Sequence, residues 1–420
     1  MDEITVFGLD LGEYYSQISY YRESMEDAKS ISLQLGSKSY LIPTVVAKRE
    51  ENLKWYVGQE AMEERQKVEG FLSAAFGNNK VTVNREEVEA KELLLLFLRR
   101  IFSMAASVGL DKERDYFVIC LEKVTGDNVK VLEGIMEELG FSLSHVKICD
   151  RKEAFCHYIM KQEAKLRLHD VLLLDYWKNS FQGYLLHTDT KFSPHVISVE
   201  ELYSDGISEI FDKKQFTKEE YLIHKDTVLN RALDEYLGKR IISSCYLVGD
   251  GFEGSWMNHS LSRLCTGRRA FLGMNLYTKG ACFYGMSKSM EQGIPDFVYL
   301  GGENLLYNVC MKVYHKGEYI YKTLINAGLN WQDAKGSAEV ILAGEEDPSI
   351  EIVCKSMNQG EDKKMDCILD QLNVRPDKTT RLHIDAYASS CNRIVISVKT
   401  TGFGMIVKDE PMNWQFTIRL

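Results

Sequence analysis

The chain has 420 residues, of which 45% are hydrophobic and 27% charged, a composition typical of globular proteins and a length too great for one compact core. Its 51 lysines and arginines are outnumbered by 61 aspartates and glutamates. The resulting net charge of −10 argues against a broad phosphate-binding face for nucleic acid.

The sequence also lacks the features of secreted and membrane proteins. Residues 1–12, MDEITVFGLDLG, have no positive region followed by a long apolar run, as a signal peptide would. The most apolar helix candidate contains only residues 93–98 between charged neighbours, whereas a bilayer span needs about 20 apolar residues. Ten cysteines occur without a CxxC pair, which favours buried reduced thiols over a metal site. We therefore expect a cytoplasmic protein with no membrane partner.

The first part of the chain predicts a mixture of strands and helices. Residues 4–21 alternate around a Gly-Glu turn and predict a β-hairpin. Apolar residues recur at helical spacing over residues 85–104, with glutamates at the start, where the helix dipole favours them. The remaining predicted elements are strands at 38–48, 54–62, 116–122 and 145–150, and helices at 127–140 and 153–165.

A second cycle of the same kind follows. Residues 170–187 predict strand, turn and strand, and residues 217–239 predict helices. A strand at 245–251 ends in a glycine turn, and a helix at 275–290 is expected to pack closely through Gly280 and Ala281. The repeated order of hairpin, helix and strand predicts an α/β protein built of two similar halves.

From about residue 296 the pattern changes to short alternating runs separated by turn-forming residues. This part predicts a β-sandwich of roughly 120 residues, a size consistent with an independent domain. The predicted strands are residues 350–355, 382–387, 393–399, 403–408 and 414–419.

The repeated hairpins carry a pattern that resembles the Hsp70/actin/sugar-kinase superfamily, and the similarity is greatest to Hsp70 chaperones. FGLDLG and VLLLDYWKNSF resemble the two phosphate loops of that family, YLVGDG resembles its adenosine loop, and VKICDRKEAFCHY and NLYTKGAC resemble its two connecting segments. IPTVVA, VGQEAM, NREEVEAKELLLLFLRRI and YFVICLEKVTGDNVKVLEGIMEELGF are similar to segments between those motifs. The matches run in the family's order from residue 4 to about residue 287, and the whole chain resembles a bacterial Hsp70-like family.

The resemblance implies an actin-like ATPase fold of two ribonuclease H-like lobes followed by the β-sandwich. The first domain would contain residues 1–295, with lobe I at about 1–165 and lobe II at about 166–295. The β-sandwich would contain residues 296–420, in the position of a chaperone's substrate-binding domain.

The family's chemistry implies a set of site residues. Its two phosphate turns close around a nucleotide, and nearby carboxylates hold Mg²⁺, usually through water, and orient the attacking water. Asp10, Asp150 and Asp175 occupy the positions of these catalytic acids, and Asp10 and Asp175 those that hold the metal. Ordinary turn hydrogen bonds at strand ends would explain the same aspartates equally well. The positions expected to contact the cofactor are Gly12, Glu13, Ser180, Gly249, Gly251 and Gly280.

Several residues depart from the family's pattern. Glu13 replaces a small hydroxyl residue in the first turn, and residues 176–179, Tyr-Trp-Lys-Asn, replace the glycines of the second. Trp177 alone would fill much of a triphosphate slot, and Asp250 replaces a glycine of the adenosine loop. These changes predict a degenerate nucleotide cleft.

Three functions follow as hypotheses. The first is a non-catalytic pseudo-ATPase scaffold, without a cofactor, that binds a protein or peptide through its C-terminal β domain. The second is a divergent chaperone-like ATPase that binds Mg-ATP through Asp10, Asp150 and Asp175. The third, a small-molecule kinase, would need a general base that the sequence does not identify.

Overall fold

A computed structural model describes residues 3–33, 39–191, 193–213, 216–289, 297–302, 304–342, 348–357, 361–372, 374, 380–401 and 412–420. The chain divides into two compact units, Met1–Phe297 and Val298–Leu420. The boundary expected at residues 295 and 296 falls outside the described residues.

The first half of unit one contains a mixed sheet and a group of smaller elements. Its helices are α1 (Gln59–Met62), α2 (Phe71–Phe76), α3 (Ala90–Ala106), α4 (Gly126–Glu138) and α5 (Arg151–Met160). Its strands are β1 (Val6–Leu11), β2 (Tyr15–Tyr21), β3 (Lys29–Ser30), β4 (Ile42–Pro43), β5 (Val45–Lys48), β6 (Trp55–Val57), β7 (Lys67–Glu69), β8 (Lys80–Val83), β9 (Glu86–Glu89), β10 (Tyr116–Leu121) and β11 (Val146–Asp150).

The second half contains another mixed sheet with its own helices. The helices are α6 (Lys218–Leu237), α7 (Asn258–Cys265) and α8 (Leu276–Ser289). The strands are β12 (Asp170–Trp177), β13 (Ser180–Asp189), β14 (His195–Leu202), β15 (Ile242–Val248) and β16 (Arg269–Gly273), and β17 (Phe297–Tyr299) spans the boundary between the units.

The two sheets repeat one strand order and one set of directions. The first runs β11-β10-β1-β2-β3 and the second β16-β15-β12-β13-β14. In each, the first strand of a hairpin is antiparallel to the second strand and parallel to the strand on its other side. Asp10 lies opposite Gln17 in the first hairpin, and Asp175 lies opposite Gln182 in the second. The two aspartates therefore occupy corresponding positions.

The helices α5 and α8 follow the last strand of each repeat and pack directly against each other. A Cβ atom on Gly280 would lie 1.9 Å from the carbonyl oxygen of Ala154, a distance that no side chain allows. A Cβ atom on Gly8 of β1 would lie 2.3 Å from the carbonyl oxygen of Thr278. The close packing predicted for the helix through Gly280 is therefore confirmed.

Three sequence predictions are wrong in detail. Residues 86–89 belong to β9 rather than to the helix predicted over 85–104, because Asn84 and Arg85 both have positive φ values, 50° and 66°. Such a pair forms a two-residue hairpin turn, and Val88 pairs with Val81 across it. Residues 59–62, included in the strand predicted at 54–62, form α1. The helix predicted at 153–165 ends at Met160.

The second unit contains two four-stranded antiparallel sheets, ordered β19-β18-β21-β22 and β20-β23-β24-β25. Buried side chains from both sheets form one core, as expected of a β-sandwich. The strands predicted at 350–355, 382–387, 393–399 and 414–419 are confirmed, whereas residues 403–408 lie outside the described residues. The strands are β18 (Tyr307–His315), β19 (Glu318–Ile325), β20 (Lys335–Ile341), β21 (Ser349–Ser356), β22 (Lys363–Ile368), β23 (Arg381–Ser390), β24 (Arg393–Thr401) and β25 (Asn413–Arg419).

Two further expectations concern cysteines and membranes. Eight of the ten cysteines are buried, as predicted. Among the described helices, none is long and apolar enough to cross a membrane.

The crossing of α5 and α8 gives the first testable prediction. Gly280→Ala should lower the free energy of unfolding by about 3 kcal/mol, because its methyl group has no room beside Ala154. Gly134→Ala is the matched control, since a Cβ atom there would meet only the Lys91 ammonium at 3.5 Å. The control should be neutral or more stable by up to about 1 kcal/mol. Equal effects of the two changes in urea unfolding would contradict the close crossing.

Candidate functional site

The two aspartates at corresponding positions of the sheets lie close together in a buried cleft. Asp10 is 4% exposed near the end of β1, and Asp175 is 5% exposed in β12. Burial of two like charges in one place is costly unless a cation lies between them.

That cation is the guanidinium group of Arg151. Arg151 Nε lies 3.1 Å from Asp10 Oδ1 and Arg151 Nη2 lies 3.2 Å from Asp10 Oδ2, so the pair is bidentate. Its remaining nitrogen, Nη1, lies 3.5 Å from Asp175 Oδ2. Arg151 is the first residue of α5, and its one side chain contacts the two large mixed sheets of unit one. No sequence motif indicated a role for this arginine.

A tyrosine completes the cluster. The Tyr277 hydroxyl donates a hydrogen bond of 2.7 Å to Asp175 Oδ2, and its ring lies 4.9 Å from the Arg151 guanidinium carbon. Burial raises the pKa of Asp175 to about 6, and Arg151 opposes that rise. Burial likewise raises the pKa of Asp10, again against the effect of Arg151. Desolvation thus outweighs the ion pairs at both carboxyl groups.

The third predicted acid has a structural use. Asp150 is the N-cap of α5, and its Oδ1 accepts a hydrogen bond of 2.7 Å from the backbone N–H of Glu153. An N-cap of this kind typically stabilises a helix by about 1 kcal/mol. Arg151 pairs with Asp10 and Asp175, whereas Asp150 caps the helix. Burial raises the pKa of Asp150.

The first turn also has a structural use. Glu13 accepts hydrogen bonds from the backbone N–H and the hydroxyl of Ser73, at 3.2 Å and 3.0 Å, beside the start of α2. A Cβ atom on Gly12 would lie 2.4 Å from the carbonyl oxygen of Tyr15, so this glycine is required by the tight hairpin itself.

The glycines of the predicted adenosine loop lie against Tyr176. A Cβ atom on Gly249 would lie 2.1 Å from the Tyr176 carbonyl oxygen, and one on Gly251 would lie 2.3 Å from Cγ of the Tyr176 ring. The same ring packs edge-on against Phe252 and Trp256, with centroids 5.5 Å and 6.2 Å away. Both glycines therefore accommodate a side chain of this protein. Gly280, the last predicted cofactor contact, faces α5.

A buried lysine next to these glycines was also missed. Lys225 of α6 is 7% exposed, and its ammonium lies 4.0 Å from the Trp256 ring centre and 4.7 Å from that of Tyr176. It donates a hydrogen bond of 3.1 Å to the carbonyl oxygen of Gly251. Burial lowers the pKa of Lys225 to about 8. The available sequence signal was the apolar residue one helical turn away on each side, Leu222 and Val228.

A pocket of about 270 Å³ remains between the two hairpin turns. Sites for small molecules usually measure about 300–1,000 Å³, so this space lies just below that range. Trp177 lines the pocket instead of turning away from it, and Ser180, predicted to contact a phosphate, lies in the same wall. The lining residues are Gly12, Glu13, Tyr14, Tyr15, Glu122, Arg151, Trp177, Lys178, Asn179 and Ser180.

The charged groups of this cleft pair with one another: the Arg151 guanidinium lies between the Asp10 and Asp175 carboxylates. Two carboxylates could ligate a hydrated Mg²⁺, but Arg151 already contacts both of them. Within the described part of the chain, no group of three or more histidine, cysteine, aspartate or glutamate side chains is arranged to hold a metal ion.

Comparison with protein families assigns most of the chain. A family model described as "Family of unknown function (DUF5716) C-terminal" matches residues 27–302. The chain belongs to the DUF5716 family. A second model, "Domain of unknown function (DUF8552)", matches residues 304–420. No curated protein matches the sequence. In this DUF5716 protein the two matches meet near the division between the structural units. Arg151, Asp175 and Tyr277 lie inside the first match, whereas Asp10 precedes it.

The raised pKa of Asp175 predicts a characteristic pH dependence. The folded protein holds a proton on this group up to about pH 6, whereas the unfolded chain loses it near pH 4. The carboxyl group therefore contributes stability that is complete below about pH 4 and is lost as the pH rises through 6. Relative to Asp175→Asn, the wild type should lose about 2 kcal/mol of unfolding free energy between pH 4.5 and pH 8.

Chemical denaturation of both proteins across this range measures the difference. Asp205→Asn, at an exposed site of the same unit, is the control and should follow the wild type. A difference between wild type and Asp175→Asn that does not change with pH would contradict the assignment.

Proposed function

We propose that this protein is a non-catalytic scaffold with an Hsp70/actin-like fold, in which Arg151 closes the nucleotide cleft and the C-terminal β unit binds a protein or peptide. It would thus be a pseudo-ATPase, similar in architecture to nucleotide-dependent chaperones and independent of nucleotide.

The repeated architecture supports the fold part of this proposal. The two large mixed sheets of unit one share the strand order given above. In the central hairpin of each, an aspartate pairs with the glutamine seven residues later. The helices that follow each repeat cross at Gly280. Two ribonuclease H-like lobes joined by crossing helices would have these features.

The single observation that carries the functional part is the position of Arg151. In an active member of the superfamily, a hydrated Mg²⁺ bound to the nucleotide phosphates would lie beside these two aspartates. Here the guanidinium lies within 3.5 Å of both carboxylates and is bonded twice to one of them. A fixed positive charge at this point repels a divalent cation and leaves its ligands already paired.

The neighbouring positions support the same conclusion. Tyr176 occupies the space in front of Gly249 and Gly251, and Lys225 donates to the carbonyl oxygen of Gly251. Glu13 adds a negative charge where phosphate would lie. The Tyr176 ring is unfavourable for ATP because of its bulk, and the Glu13 carboxylate because of its negative charge.

One observation favours the alternative, a divergent ATPase that binds Mg-ATP. A pocket of about 270 Å³ persists between the two turns, and Trp177 forms one of its walls. ATP would fit only if Trp177 rotated outward and Arg151 left the carboxylates.

Thermal unfolding and calorimetric titration with ATP, with and without Mg²⁺, test the proposal. A ligand of the native state at 100 times its dissociation constant adds about 2.7 kcal/mol of stability, which both methods resolve. We expect no heat and no change in Tm at about 5 mM Mg-ATP. A Mg²⁺-dependent rise in Tm that disappears in Asp10→Asn would instead establish the ATP-binding alternative.

A further inference from the structure

A hairpin in the second unit extends beyond the sheet to which it belongs. β18 pairs with β19 as far as the pair of His315 and Glu318, but it pairs with β21 only as far as Met311 and Ile352. Past Met311, no described strand pairs with the β21 side of β18. Among the described residues, its backbone N–H and C=O groups on that side have no strand partner, as at the edge of a sheet.

A groove of about 770 Å³ begins where β21 leaves β18. Consecutive residues line it: residues 311–315 of β18, residues 339–342 along and just after β20, and residues 349–350 of β21. Successive side chains of a strand point to opposite faces, so a wall of consecutive residues is a strand edge. β20 is itself the outer strand of its sheet. The groove therefore lies between strand edges.

The side chains of the groove define the chemistry of an occupant. Val313, Val340 and Ile350 are apolar, and Ile341 is 55% exposed at the rim. Tyr319, also at the rim, is 70% exposed, an unusual situation for a large aromatic side chain.

The charged groups of the groove are mainly positive. Lys312, Lys322 and Arg381 line it together with one acid, Glu339, which pairs with Arg381, while Lys312 pairs with Glu351 of β21. With Glu351 included, three cations still outnumber two acids. This balance is the opposite of that of the whole chain, whose net charge is −10. An acidic occupant is therefore complementary to the groove.

We propose that this groove binds an extended segment of a partner protein, about five residues long, in which apolar and acidic side chains alternate. The segment adds as a strand to the open edge of β18 or β20, so main-chain hydrogen bonds supply affinity and the apolar floor supplies selectivity. The proposal rests on the protein-binding role suggested above for the β unit and names the edge and the kind of partner.

Selection from a displayed library of random heptapeptides on the full-length protein tests this inference. The selected sequences should alternate apolar with acidic residues. Ile341→Glu should weaken their binding at least tenfold, because it places a negative charge at the apolar rim, where it repels the acidic side chains of the peptide. Ile368→Glu is the matched control, since Ile368 is 56% exposed on β22 and outside the groove, and it should bind like the wild type.

A chemical variant of the best peptide separates strand addition from side-chain docking. Methylation of alternate backbone nitrogens removes hydrogen-bond donors without changing the side chains, and it should weaken binding at least tenfold on the edge used. Enrichment of basic peptides, binding unaffected by Ile341→Glu, or full binding by both N-methylated registers would each overturn the proposal. None of these outcomes bears on whether Arg151 closes the cleft, because that question is answered by the nucleotide titrations.

Discussion

The fold of unit one depends on one buried cation. Arg151 bonds twice to Asp10 and approaches Asp175 at 3.5 Å, so it links the central strands of two sheets that otherwise contain separate hairpins. Without it, two carboxyl groups would remain buried side by side, and their mutual repulsion would add to the cost of desolvation. The raised pKa values of both aspartates show that this cost is only partly offset. Such a site is stable only while its cation is present.

In our proposal, this dependence also explains why the cleft stays closed without a ligand. An arginine of the chain is always present, whereas a nucleotide and its metal come and go. Tyr277 adds a hydrogen bond to Asp175, and Asp150 fixes the helix from which Arg151 projects. In our proposal, the protein has exchanged a ligand-controlled closure for a permanent one.

Much of the fold could be predicted because its signals are local. The strands that contain Asp10 and Asp175 are short apolar runs that end in tight turns, and Gly280 of α8 marks a close helix crossing. The role of Arg151 could not be predicted, since its partner Asp10 is 141 residues away and the sequence shows only a charged residue at a helix start. Lys225 was overlooked although its helix face gave a signal, because its partner Gly251 lies 26 residues away. The β9 strand was predicted as helix because its glutamates also suit a helix terminus. The groove depends on where two strands diverge, and no sequence pattern records that.

The central claim is that Arg151 stands in the place of a divalent cation, and it is tested most directly by the unfolding free energies of the wild type and Arg151→Ala with and without about 10 mM Mg²⁺. Removal of the guanidinium should cost about 3–5 kcal/mol, as breaking a buried ion pair does. Mg²⁺ should restore part of this loss in Arg151→Ala and have no effect on the wild type, or on Arg99→Ala at an exposed ion pair. The response should disappear in the double variant with Asp175→Asn. An Arg151→Ala protein that is as stable as the wild type and indifferent to Mg²⁺ would contradict the account.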